Sequence, residues 1–211
     1  MQKFDLENSN QDLIAKQTLK NAQKPTLATL LNLGKQLKTQ SVILGDVSGS
    51  MNGDKLTALK TTLQAVWSPG MRALIFGSEV YEIEQTDISL LSTMGQTSMG
   101  ECLQEAWGMS VSHMILITDG EPTDWSKAEI LHEAERMKEV KIDTIGISEQ
   151  SKYHDDYDPD FLRKLASITG GCFTDCGQPI KLSAIVQNLL LNAGSTALRE
   201  GEQVKGGVIA L

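Results

Sequence analysis

The sequence predicts an α/β domain built on a mostly parallel central sheet, with one antiparallel edge strand and helices on both faces. Three observations carry this prediction. Short aliphatic and β-branched runs at 42–44, 72–76, 113–118 and 142–147 alternate with longer segments whose apolar residues recur at helical spacing. The first of those runs, Val42 to Leu44, is apolar at consecutive positions, as suits a strand covered on both faces. One further run, 80–83, follows 72–76 after only Gly77-Ser78-Glu79, a hairpin distance that implies antiparallel pairing at an edge.

A chain of 211 residues suits one such domain or one domain with appendages, and 40% hydrophobic residues are enough for a substantial core. The net charge of −8 and the lack of any Lys/Arg cluster argue against phosphate or nucleic-acid binding. The cysteines, Cys102, Cys172 and Cys176, are too few and odd in number for a disulfide framework. On one extended strand Cys172 and Cys176 would lie about 13 Å apart, too far to bridge. The first residues lack the apolar segment of a signal peptide, and no run is long enough to span a bilayer. The expectation is a cytoplasmic chain with reduced thiols and no membrane partner.

Taken in order, residues 1–38 read as a helical N-terminal extension. One helix is expected around 12–21, with Leu13, Ile14 and Leu19, and a clearer one follows Pro25-Thr26, with Leu27, Leu30, Leu31 and Leu37 on one face. The domain proper spans 39–193. After the first strand, Leu56, Leu59, Leu63 and Val66 mark one face of a helix that Ser68-Pro69-Gly70 stops. The hairpin strands come next, then a turn holding Thr97 and a short helix through Cys102, Leu103 and Trp107. The strand 113–118 is the most apolar. A helix is expected over 125–140 with Ala128, Leu131 and Ala134 inward, then the strand 142–147. Asp158-Pro159-Asp160 supplies an N-cap, a proline at the first helical position and a first-turn acid for a helix carrying Phe161, Leu162 and Leu165, which ends at Gly170-Gly171. A short strand is expected at 172–174. A last helix aligns Leu182, Ile185, Val186, Leu189 and Leu190, and 194–211 reads as a flexible tail by composition.

The chemistry centres on Ser41-Val42-Ile43-Leu44-Gly45-Asp46-Val47-Ser48-Gly49-Ser50. Where the first strand breaks into a loop, Asp46, Ser48 and Ser50 fall at i, i+2 and i+4, a spacing that can turn one carboxylate and two hydroxyls toward a common point. All offer oxygen, the donor that hard cations prefer. Asp46-x-Ser48-x-Ser50 resembles the first segment of the metal-ion-dependent adhesion site of von Willebrand factor A domains. The resemblance extends to Thr97 in Met94-Gly95-Gln96-Thr97-Ser98 and to Asp119 in Ile115-Leu116-Ile117-Thr118-Asp119-Gly120. Gln96 stands where the family usually has a second glycine, a departure in the loop backbone and not in a ligand. Asp46 and Asp119 both follow predicted strands, and in open α/β sheets ligands sit outside the carboxyl ends of strands.

The resemblance implies a Rossmann-like von Willebrand A fold over roughly 40–193, and a metal site made by Asp46, Ser48, Ser50, Thr97 and Asp119. It implies Mg²⁺, with Mn²⁺ or Ca²⁺ as alternatives, and a protein partner whose acidic side chain completes the coordination. The expected function is therefore cation-dependent protein binding. Two alternatives stay open: an assembly or adaptor subunit whose metal site is structural or idle, and a Mg²⁺-dependent hydrolase. Against the hydrolase, phosphohydrolases of the haloacid-dehalogenase type need a second aspartate where this chain has Ser48. Val47-Ser48-Gly49 also lacks a nucleophile elbow, and His113, His132 and His154 fall in no motif with it. The chain is read as not an enzyme. Glu121 and Asp124 read as solvated loop residues, and Asp155-Asp156-Tyr157-Asp158 as a helix-capping acidic loop that lacks the glycine and glutamate of a calcium loop.

Overall fold

The computed structural model describes residues 41–148 and 157–205, the last twelve of these, from Gly194, as backbone only. The helices expected in 1–38, His154, Asp155 and Asp156 lie outside the described residues.

Six strands form one sheet in the order β3-β2-β1-β4-β5-β6. They are β1 (Ser41–Asp46), β2 (Arg72–Phe76), β3 (Val80–Ile83), β4 (His113–Thr118), β5 (Lys141–Ile147) and β6 (Phe173–Cys176). All neighbours pair in parallel except β2 and β3, which pair as the antiparallel hairpin at one edge. The helices are α1 (Asp54–Val66), α2 (Met99–Gly108), α3 (Lys127–Arg136), α4 (Pro159–Ile168) and α5 (Leu182–Lys205).

Consecutive apolar residues in β1 serve two cores. Val42 and Leu44 pack with Met99, Leu103, Ile130 and Leu162 beneath α2, α3 and α4, whereas Ile43 packs with Leu59, Leu63, Leu182 and Val186 beneath α1 and α5. The period of two along a strand thus divides one apolar run between two helical layers.

Three elements depart furthest from their expected bounds. α3 is shorter than 125–140, because Ser126 and Glu129 close a capping box at its start and the chain turns after Met137. That start sets the phase: Ile130, Ala134 and Met137 are buried and Leu131 is half-buried, while Ala128 is exposed. The last strand begins at Phe173, because its parallel register with β5 runs from Thr144↔Phe173 to Ile147↔Cys176. α5 continues through Gly194, where the tail is expected to begin, as far as Lys205. Ala197, Leu198 and Glu200 are strong helix formers, and the two internal glycines, Gly194 and Gly201, cost only about 1 kcal/mol each.

Candidate functional site

β1 and β4 are hydrogen-bonded neighbours at the centre of the sheet, so their carboxyl ends deliver Asp46 and Asp119 side by side. The strand order reverses its direction of growth at this pair, which opens a crevice between the two following loops. The β1 loop is anchored from below: Val47 N–H donates to the Phe76 carbonyl at 2.8 Å, Met94 N–H donates to the Val47 carbonyl at 2.6 Å, and buried Met51 plugs the core.

A chain of hydrogen bonds joins the polar groups above this base. Asp46 Oδ1 accepts the Ser48 N–H at 2.7 Å, and Oδ2 accepts the Thr118 hydroxyl at 2.5 Å. The Ser48 and Ser50 hydroxyl oxygens are 3.0 Å apart, and the Ser50 hydroxyl donates to Asp119 Oδ1 at 2.7 Å. Lys55 Nζ, from the first turn of α1, donates to Asp119 Oδ2 at 2.5 Å. Thr97 is held by its backbone to Thr123: its N–H donates to the Thr123 hydroxyl at 2.9 Å, and its carbonyl accepts the Thr123 N–H at 3.0 Å. A methyl group placed on Gly120 would lie 3.6 Å from both the Ser50 and the Thr97 hydroxyl oxygens, so these two face the same small space.

Asp46 and Asp119 are both inaccessible to solvent. Burial pushes the Asp46 carboxyl up to about 6, against the bonds from Thr118 and Ser48 and with help from the neighbouring charge of Asp119. Lys55 is the sole buried lysine or arginine among the described residues. Two desolvated carboxylates with one ammonium leave negative charge uncompensated, a costly arrangement that a bound cation would relieve. The candidate donors are carboxylate and hydroxyl oxygens throughout, the kind that hard cations prefer. The residues present therefore fit a hard divalent cation.

All five residues singled out from the sequence come to this one end of the sheet. Sequence reasoning missed Thr118 and Lys55. Thr118 carries a signal in retrospect, since it is a hydroxyl closing the most apolar strand; Lys55 has the polar character of any helix surface position. Glu121 and Asp124 lie at the rim, where Glu121 pairs with Lys127 at 2.7 Å and Asp124 accepts the Glu101 N–H at 2.8 Å. His113 is far from the crevice. At the amino end of β4 it is buried, with Nδ1 3.1 Å from the Ser41 hydroxyl and Nε2 2.8 Å from Asp143 Oδ2.

No protein-family model matches the chain. It is 31% identical to the human von Willebrand factor A domain-containing protein 3A, in a match that covers 65% of this chain and 13% of that protein. A von Willebrand factor type A structure from Catenulispora acidiphila aligns with a TM-score of 0.59 at 22% identity, over 73% of this chain and 42% of that one. Proximal thread matrix protein 1 from the mussel byssus, solved with a zinc-occupied metal-ion-dependent adhesion site motif, aligns with a TM-score of 0.55 at 20% identity, over 73% of this chain and 45% of that one. The matched region is thus less than half the length of each of these relatives. Sheet order, the solved structures and the human relative agree: this chain has the von Willebrand factor A fold and is similar in sequence to a von Willebrand factor A domain-containing protein.

Proposed function

We propose that the domain, spanning 39–193, binds a divalent cation through Asp46, Ser48, Ser50, Thr97 and Asp119 and uses it to recruit a protein through an acidic side chain. One observation carries this reading: two fully buried carboxylates on adjacent strands, tied to hydroxyls and offset by a single buried ammonium. Mg²⁺ suits a set of neutral and anionic oxygens and retains open positions for water or an outside carboxylate; Mn²⁺ is the natural substitute. The zinc held at the corresponding motif of the mussel protein supports a divalent ion here. Cys102, Cys172 and Cys176 are all free thiols, which supports a cytoplasmic setting. No helix among the described residues is long and apolar enough to cross a membrane. The domain acts by binding and carries no catalytic activity; residues 1–38 are an appendage to it.

A second reading, an adaptor whose metal site is idle, draws on the Lys55–Asp119 ion pair, which already gives Asp119 a cationic partner. Thermal denaturation in Mg²⁺, Mn²⁺ and chelator separates the two. A ligand at 100 times its dissociation constant that binds only the folded state adds about 2.7 kcal/mol. The expected result is a rise in melting temperature that Asp46→Ala and Asp119→Ala abolish. Identical melting with and without the ions, together with no heat of binding, would leave the idle-site reading standing.

A further inference from the structure

We infer that Lys55 is a tethered counter-cation of this site, so that a divalent ion enters by displacing the ammonium from Asp119. The inference rests on the metal-binding reading above and concerns how that binding is regulated.

The position of Lys55 runs against what a lysine prefers. It is the second residue of α1, where the helix dipole presents its positive end and favours acids, as at the preceding Asp54. Its side chain is only 7% exposed, although lysine is rarely buried and loses much rotamer freedom when it is. The ion pair with Asp119 Oδ2 helps to offset these costs. Gly53, at φ 89°, turns the chain sharply into α1 and brings that first turn over the crevice.

Charge arithmetic then sets the competition. With Asp46 and Asp119 ionised, the two carboxylates and the ammonium sum to −1. Adding a divalent ion beside a retained ammonium gives +1 around two solvent-inaccessible carboxylates, whereas exchange gives neutrality. The Ser50 hydroxyl and the ammonium already take both oxygens of Asp119, so a cation approaching this carboxylate meets Lys55 directly. A lysine can leave: its flexible stem lets the ammonium swing to water and recover hydration and rotamer freedom. The ammonium thereby holds the carboxylates together without metal and lowers affinity for it, which makes occupancy conditional on metal concentration or on a partner that supplies further ligands.

The test is calorimetric titration of the full chain with Mn²⁺ and with Mg²⁺, comparing the unmodified protein with Lys55→Met and Lys55→Gln. Affinity is expected to tighten by about tenfold or more in both variants, because the ion no longer has to displace an ammonium from Asp119. In the unmodified protein, the ¹⁵N signal of the Lys55 ammonium should change from slow to bulk-like proton exchange as diamagnetic Mg²⁺ is added. This second measurement needs no variant to fold. Equal affinity in all three proteins, or a Lys55 signal unmoved at saturating Mg²⁺, would overturn the exchange while leaving metal binding intact. Binding by the variants alone would support it and mark the unmodified site as silenced by Lys55. No binding by any of the folded proteins would overturn both the inference and the reading beneath it.

Discussion

Thr118 shows how much of the site depends on one hydroxyl outside the recognised pattern. It donates to Asp46 Oδ2 and accepts the Gly120 N–H at 3.1 Å, so it orients the first carboxylate while shaping the turn that carries the second. Thr118→Val keeps the shape and removes the donor, leaving a buried carboxylate oxygen without its partner. The expected cost is about 1–3 kcal/mol in chemical denaturation, with weaker stabilisation by Mg²⁺, whereas Thr118→Ser should retain most of both. Unchanged stability in the valine variant would show that Asp46 is oriented by Ser48 alone. Asp46, Ser48 and Ser50 stood out because their spacing lies within one local loop, whereas Thr97 and Asp119 were picked out through the family resemblance. Thr118 and Lys55 were not, since their roles depend on which strand end and which helix turn meet across the sheet.

At the scale of elements, glycine positions separate close packing from open helix. A Cβ on Gly171 would lie within bond-like distance of the Ile142 carbonyl, a backbone atom of β5 that cannot step aside. Gly171 is therefore what lets the end of α4 pass against β5 into β6. Gly171→Ala is expected to destabilise by about 3 kcal/mol or more, among the larger effects of single substitutions. Gly108, the last residue of α2, has nothing within 4 Å of an added methyl group, so Gly108→Ala should stabilise by about 0.5–1 kcal/mol. Urea denaturation of the two variants should therefore give opposite signs; the same sign would contradict this packing. The main strands and helices were readable because each buries a periodic apolar face. The 3-10 segment Gln85–Leu90 was not, since it lacks the helical period and is held by a capping box between Glu84 and Asp87.

For the whole molecule, the two ends of the sheet hold different polar clusters. Opposite the crevice, burial pushes the Asp143 carboxyl up, but bonds from His113, Lys141 and the Cys172 N–H outweigh this and hold it below the usual carboxylate range. A carboxylate depressed on folding contributes stability that is present above its unfolded value of 3.8 and is lost as pH falls through the folded value. The difference in unfolding free energy between the unmodified protein and Asp143→Asn should therefore be greatest at neutral pH and shrink below 3.8. A difference that stayed constant with pH would show that the substitution acts through packing alone. This cluster was hidden in the sequence, where His113 looked like an ordinary strand start; the parallel register that sets Ser41 beside His113 and His113 beside Lys141 creates it. The alternation of strands and helices, by contrast, already implied the layered architecture.

The central pairing of β1 with β4 has a consequence for the time course of folding. Residues 72 positions apart must meet before Thr118 can reach Asp46. Closing so long a loop is entropically slow, and only the completed pair brings the two carboxylates together. A cation bridging them would stabilise a contact that forms late, after the folding barrier. Its effect should then fall on the rate of unfolding and hardly at all on the rate of folding. In stopped-flow experiments, Mg²⁺ should lower the unfolding limb of the denaturant–rate plot and leave the refolding limb in place; an accelerated refolding limb would place the β1–β4 junction within the folding nucleus.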